Sequence, residues 1–189
     1  MSDTRRGQWP SVQSIHTVIF DFDGVFTNNK VYIGQDGMEW VRCDRGDGLA
    51  IDLLRRYRQK KALNLDFFIL STERNPVVAA RARKLRMECM QDVGDKLEFV
   101  TRYLGEHCPG MSDAFAGLVF LGNDLNDLPV LERAGFSIVP SDAHERVRAV
   151  ASVVLPQPGG QGFVREAVER LLNISSMTQE EIHELVCNR

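Results

Sequence analysis

The run His16-Thr17-Val18-Ile19-Phe20-Asp21-Phe22-Asp23-Gly24-Val25-Phe26-Thr27 decides the fold of this chain. Over residues 16–20 it is β-branched and apolar without polar alternation, which reads as a strand buried on both faces, the pattern of a parallel sheet. The strand ends in Asp21 and Asp23, two carboxylates two positions apart. Carboxylates placed directly after an apolar strand are costly unless a cation or hydrogen bonds compensate them. Taken alone, the pair could also cap a loop. Gly24 then permits a turn that swings the two side chains apart.

Working outward, residues 31–33 and 38–43 flank Gly34-Gln35-Asp36-Gly37, whose glycines suit a hairpin, so a two-stranded flap is expected. Leu49, Leu53, Leu54 and Tyr57 recur at helical spacing within 47–61, and 65–70 is again strand-like, which completes a βαβ crossover. The alternation continues with a helix over 76–86, opened by Pro76, a strand near 88–91 and a helix over 96–107. Then come a strand at 118–121, a helix over 125–134, a strand at 136–139, a short helix near 143–150 and a strand at 153–155. Repeated βα units predict an α/β fold, a doubly wound and mostly parallel Rossmann-like sheet. After the loop 156–162, a helix is expected over 163–172. Thr178-Gln179-Glu180-Glu181 has capping-box spacing and opens a last amphipathic helix.

The 189 residues read as one domain over 15–175, preceded by a leader at 1–14, expected to be frayed, and followed by the helix of 176–189. With 23 basic and 26 acidic residues and a pI near 5.8, the chain lacks the basic excess that nucleic-acid binding needs. No apolar run approaches a membrane span, and no apolar stretch follows Arg5 and Arg6 as a signal peptide would require. Cys43, Cys89, Cys108 and Cys187 show no metal-ligand spacing and read as reduced thiols of a cytoplasmic protein.

Ligands of a doubly wound sheet sit outside the carboxyl ends of its strands. At those ends stand Asp21 and Asp23; the hydroxyl pair Ser71-Thr72; Lys96 at a helix start, where a cation implies a nearby anion; and Gly122-Asn123-Asp124-Leu125-Asn126-Asp127. Each has a local explanation as a helix cap, a turn or a solvated side chain. In this order, at one edge, they assemble a site for a phosphoryl group and a hard cation such as Mg²⁺. A receiver-type signalling module, which also phosphorylates an aspartate, places its acceptor after the third strand rather than the first.

These four segments resemble the motifs of haloacid dehalogenase (HAD)-type phosphatases without a cap domain. From Phe20 to Arg165 the chain is similar to the 3-deoxy-manno-octulosonate 8-phosphate phosphatase subfamily, which includes 9-phosphate phosphatases of sialic-acid-like nonulosonates. Asp47-Gly48-Leu49, Ala143-His144 and Pro158-Gly159-Gly160-Gln161-Gly162 carry the narrower likeness. The resemblance implies Asp21 as nucleophile, Asp23 as general acid and base, and Lys96 as a third catalytic group. It implies Mg²⁺ held by Asp21, the Asp23 carbonyl, Asn123 and Asp124. For phosphate and substrate it implies Gly24, Thr27, Ser71, Thr72, Glu73, Arg81, Lys84 and Asp127.

Asn123 stands where many relatives carry a carboxylate, and Ser71-Thr72-Glu73-Arg74-Asn75 stands where octulosonate phosphatases tend to read Thr-Gly-Arg, with Glu73 matching a glutamate of the nonulosonate-phosphate members. Both departures, with Lys84, lean toward a nonulosonate 9-phosphate substrate. Asn123 also suits an alternative, a catalytically weak domain that supports an acylneuraminate cytidylyltransferase. Neither the 50 positions from Asp21 to Ser71 nor the 25 from Ser71 to Lys96 can hold a cap domain. The expectation is therefore an oligomer, and the resemblance implies a homotetramer in which the flap and a neighbour's tail at Pro158 to Gly162 complete each site.

Overall fold

The computed structural model describes residues 8–187. Its central sheet has six parallel strands in the order β5-β4-β1-β6-β7-β8: β1 (Thr17–Phe20), β4 (Asp66–Leu70), β5 (Glu88–Met90), β6 (Leu118–Leu121), β7 (Phe136–Val139) and β8 (Val153–Val154). β1 lies in the middle. The chain winds from it to β4 and β5 on one side and returns to its other side with β6. The switch in winding direction therefore falls at the carboxyl end of β1, where Asp21 follows.

Every residue of β1 is buried, and alternate residues serve opposite faces. Val18 and Phe20 pack with α1 (Arg45–Lys60), α2 (Pro76–Leu85) and α6 (Phe163–Leu171). Ile19 packs with α3 (Lys96–His107), α4 (Leu128–Arg133) and α5 (Glu145–Val150). Two apolar layers thus sandwich the sheet, and the polar positions that the layers cannot hold collect at its carboxyl edge.

The flap forms as expected from β2 (Thr27–Ile33) and β3 (Glu39–Cys43), an antiparallel pair separate from the main sheet. Gly37 at φ 78° and the Gly34 N–H to Met38 carbonyl bond of 2.8 Å make the turn. Val31 faces Val41 and Tyr32 faces Trp40 across the ladder, so the two pairs lie on opposite faces. The last helix, α7 (Gln179–Cys187), opens with the capping box: Glu181 accepts from the Thr178 N–H at 2.8 Å and Thr178 Oγ1 from the Glu181 N–H at 3.2 Å. It docks in cis on α1 through buried Leu185 and the Arg56 guanidinium, which donates to the Leu185 carbonyl at 3.2 Å.

Two expectations need correction. The leader is not frayed over 8–14, because Trp9 packs on Phe136 with ring centroids 5.2 Å apart and Val12 is buried. Residues 1–7 of the leader lie outside the described residues. The helix expected over 125–134 begins only at Leu128, because Asp127 turns its carboxylate inward and residues 122–127 become a loop. Among the described residues no helix is long and apolar enough to cross a membrane.

Candidate active site

Lys96 is the first residue of α3, whose cap is Asp95 accepting from the Glu98 N–H at 2.9 Å. That register aims the Lys96 side chain under the sheet edge, where it is almost fully buried. Its Nζ lies 2.7 Å from Asp21 Oδ1 and 2.6 Å from Asp127 Oδ1. The anion implied by a cation at a helix start is therefore present twice. Burial alone would lower the Lys96 pKa, but the two carboxylates outweigh it and hold the ammonium above its ordinary value.

One lysine between two buried carboxylates leaves the cluster one negative charge in excess. Burial, then the Asp127 charge, pushes Asp21 up to about 8 against the opposing pull of Lys96. Asp23, half-exposed above it, is also raised, by burial and then by Glu73, with the Thr27 hydroxyl opposing. Asn123 is buried and its Oδ1 takes no hydrogen bond. A hard divalent cation fits this set: it would neutralise the excess charge and satisfy the free amide oxygen. No group of three His, Cys, Asp or Glu side chains among the described residues is arranged to hold a metal. Asn123 Oδ1 faces the same cavity as the carboxylates of Asp21 and Asp124, the oxygens such an ion would find there.

Above the cluster opens a cavity of about 420 Å³ lined by Asp21, Asp23, Ser71, Thr72, Glu73, Asn123, Asp124 and flap residues Val31, Glu39 and Val41. Ser71 is held by accepting the Glu73 N–H on its Oγ at 3.0 Å. Thr72 accepts from Asn126 at 3.5 Å, tying the second and fourth segments. Asn123 is braced by the His144 N–H, which donates to its carbonyl at 2.8 Å and explains why Ala143-His144 stood out.

Five of the residues expected at the substrate lie outside the lining of this cavity. Asp127 is fully buried: Oδ2 accepts from the N–H groups of Asn123 at 2.8 Å and Asp124 at 3.3 Å, so it braces the loop of residues 122–127 beneath the cavity. Thr27 is likewise buried and orients Asp23 at 3.3 Å, while accepting the Gly24 N–H at 3.2 Å. Arg81 donates to the Asp44 carbonyl at 2.8 Å, away from the cavity lining, and Lys84 is exposed on the outside of α2. Gly24 is also absent from the lining; its role is close approach, because a Cβ there would lie 1.9 Å from Asn123 Nδ2.

Gly159 and Gly160 of the tail are buried in their own chain, Gly160 donating to the Val25 carbonyl at 3.1 Å, so these two glycines pack on the turn that carries Asp21 and Asp23. Sequence reasoning missed Asn75 and Glu39. The Asn75 side chain caps α2 through the Val77 N–H at 3.0 Å and donates to Glu39 at 2.6 Å, tethering the flap over the cavity. The Asn75-Pro76 helix start was legible; its partner on the flap was not.

No family model matches the chain. It is 29% identical over 161 residues to the 3-deoxy-D-manno-octulosonate 8-phosphate phosphatase KdsC of Salmonella typhi, spanning 85% of this chain and 80% of the relative. Among solved structures it is similar to a KdsC-type phosphatase from Moraxella catarrhalis in complex with magnesium, phosphate and a KDO molecule. That likeness has 25% identity and a TM-score of 0.75 over 86% of this chain and 88% of that one. It is also similar to an HAD family hydrolase from Streptomyces avermitilis, at 38% identity and a TM-score of 0.81 over 93% and 96% of the two chains. With that identity across nearly the whole of both chains, and with an aspartate pair, a hydroxyl, a lysine and an Asn/Asp loop gathered at one sheet edge, the chain belongs to the HAD family of hydrolases.

Proposed function

We propose that this chain is a Mg²⁺-dependent phosphatase of a 2-keto-3-deoxy sugar acid phosphate, with a nonulosonate 9-phosphate favoured over an octulosonate 8-phosphate. The observation that carries the reading is the shared cavity floor: Asp21 held 2.7 Å from Lys96 beneath Asp23 and Ser71. Asp21 attacks phosphorus and forms an aspartyl-phosphate, while Asp23, whose pKa is raised by burial and then by Glu73, protonates the leaving sugar oxygen. Asp23 then takes a proton from the water that hydrolyses the intermediate. Ser71 and Lys96 stabilise the charge that develops on the transferring phosphoryl oxygens. Mg²⁺, held by Asp21, the Asp23 carbonyl, Asn123 and Asp124, would supply neutralisation of phosphoryl charge.

Glu73 in the cavity lining supports the nine-carbon preference, since a carboxylate there accepts hydrogen bonds from sugar hydroxyls. The printed names of the curated relatives favour the eight-carbon ester. Phosphate release with Mg²⁺ from both esters, with Asp21→Asn as control, separates the two preferences. Release from neither would favour the second reading, a cytidylyltransferase-supporting domain, for which the neutral Asn123 speaks. The exposed apolar residues of the flap support self-association, in which a neighbouring flap closes the cavity.

A further inference from the structure

Asp47 is fully buried on α1, outside the cavity lining, and the proposed chemistry does not use it. Its Oδ1 accepts the main-chain N–H of Arg165, the third residue of α6, at 3.0 Å. That helix has no cap of its own: Gly162 at the cap position, φ 85°, offers no side chain. A helix start leaves orphan N–H groups, and a carboxylate there meets both the free donor and the positive end of the helix. Asp47 is thus the N-terminal cap of α6, supplied from another helix. Burial pushes its carboxyl up to about 7 against that N–H, and its Oδ2 takes no hydrogen bond. The position is unfavourable for a carboxylate unless the cap has use.

Three residues before α6, the chain touches the turn that carries Asp21 and Asp23. A Cβ on Gly159 would lie 2.0 Å from the Gly24 carbonyl oxygen, and one on Gly160 2.4 Å from the Thr27 carbonyl carbon. Gly160 donates to Val25 at 3.1 Å, and Gly159 donates to Asp142 at 2.9 Å. On its other side Gly24 abuts the Asn123 side chain. The catalytic turn is therefore clamped between Asn123 and the backbone of 159–160, and the clamp is set by where α6 begins.

We infer that Asp47 is a positioning residue for the catalytic turn, acting by capping α6 and so seating Gly159 and Gly160 against Gly24 and Thr27. The catalytic consequence rests on the phosphatase reading; the seating does not. The test pairs Asp47→Ala, which removes the acceptor, with Asp47→Asn, which keeps it, and adds Gly159→Ala as a direct wedge. Hydrogen exchange of residues 22–28 should quicken about tenfold in Asp47→Ala and in Gly159→Ala, with 66–70 unchanged and Asp47→Asn near the parent. In parallel kcat should fall about tenfold in Asp47→Ala, with KM little changed and the asparagine restoring it.

Unchanged exchange over 22–28 in a folded Asp47→Ala would overturn the inference, as would Asp47→Asn being as impaired as alanine. If the alanine variant does not fold, exchange of the unmodified chain decides. The amides of Arg165, Gly160 and Phe26 should open together, and separate opening would overturn it. A parent chain that releases no phosphate, yet shows the exchange pattern, would remove the phosphatase reading alone.

Discussion

At the carboxyl edge of the sheet three charged side chains are buried, Lys96 at 2% exposure and Asp127 at 0% among them, whereas on the flap Ile33 at 69%, Tyr32 at 60% and Trp40 at 50% stand in solvent. The two regions invert the ordinary partition in opposite senses. At the edge, the inversion is compensated within the chain, because each carboxylate meets the ammonium within 2.7 Å and Asp127 also takes two main-chain N–H groups. On the flap nothing among the described residues covers the Tyr32–Trp40 face. A buried charge must find its partner in the fold, while an exposed apolar face can wait for another molecule. The proposed chemistry thus uses the edge, and the proposed self-association would use the flap.

The comparison is broken most severely by removing the group that reacts. Asp21→Asn should lower kcat for sugar phosphate hydrolysis by about 10⁴-fold or more while leaving the chain folded, since Lys96 keeps Asp127. Steady-state phosphate release and a thermal melt measure the two. Lys96→Met leaves two buried carboxylates with no cation, and urea unfolding should show a loss of about 3–5 kcal/mol. By contrast Lys60→Ala, which removes an exposed pair with Glu184, should leave the midpoint unmoved.

Metal and pH sharpen the same contrast. The folded chain keeps protons on Asp21 to about 8 and on Asp47 to about 7, against an ordinary 3.8. Folded values raised in this way mean that the associated stability is complete below 3.8 and is lost as pH climbs through 7 and 8. The urea midpoint of metal-free protein should therefore fall over that range. Mg²⁺ needs Asp21 ionised, so its stabilisation should grow as pH rises through about 8. Asn123→Asp adds ligand charge and should tighten Mg²⁺ about tenfold by calorimetry. The smallest effect on folding belongs to the flap. Trp40→Ser should change stability by less than about 0.5 kcal/mol, yet in sedimentation it should shift the protein to smaller species; an unchanged species would remove the assembly role of that face.

Elements with strong local signals were legible from residue order. The helix of 96–107 and the strands of 118–121 and 136–139 stand where periodicity put them, and Thr178 and Glu181 form their capping box. The carboxyl-edge order of Asp21, Ser71, Lys96 and Asn123 likewise indicated one site, because a parallel sheet delivers the ends of its strands to one place. Where Asp127 and Arg81, expected at the substrate, lie off the cavity lining, their partners are far away in the chain. Asp127 looked like a substrate contact and is held by Lys96, 31 positions earlier. Arg81 turns to Asp44, and Lys84, assigned by likeness rather than by geometry, points outside.

The sequence by itself determined which residues could bear charge and which must be buried, since hydrophobic period and turn chemistry are local properties. Only the tertiary structure decided which charged groups neutralise one another, that the glycines of 159–160 brace their own catalytic turn, and that Asp47 caps a helix 118 positions away. Those choices depend on contacts a few ångströms long between distant segments, and a hydrogen bond has no counterpart in the order of residues until the sheet brings its two ends together.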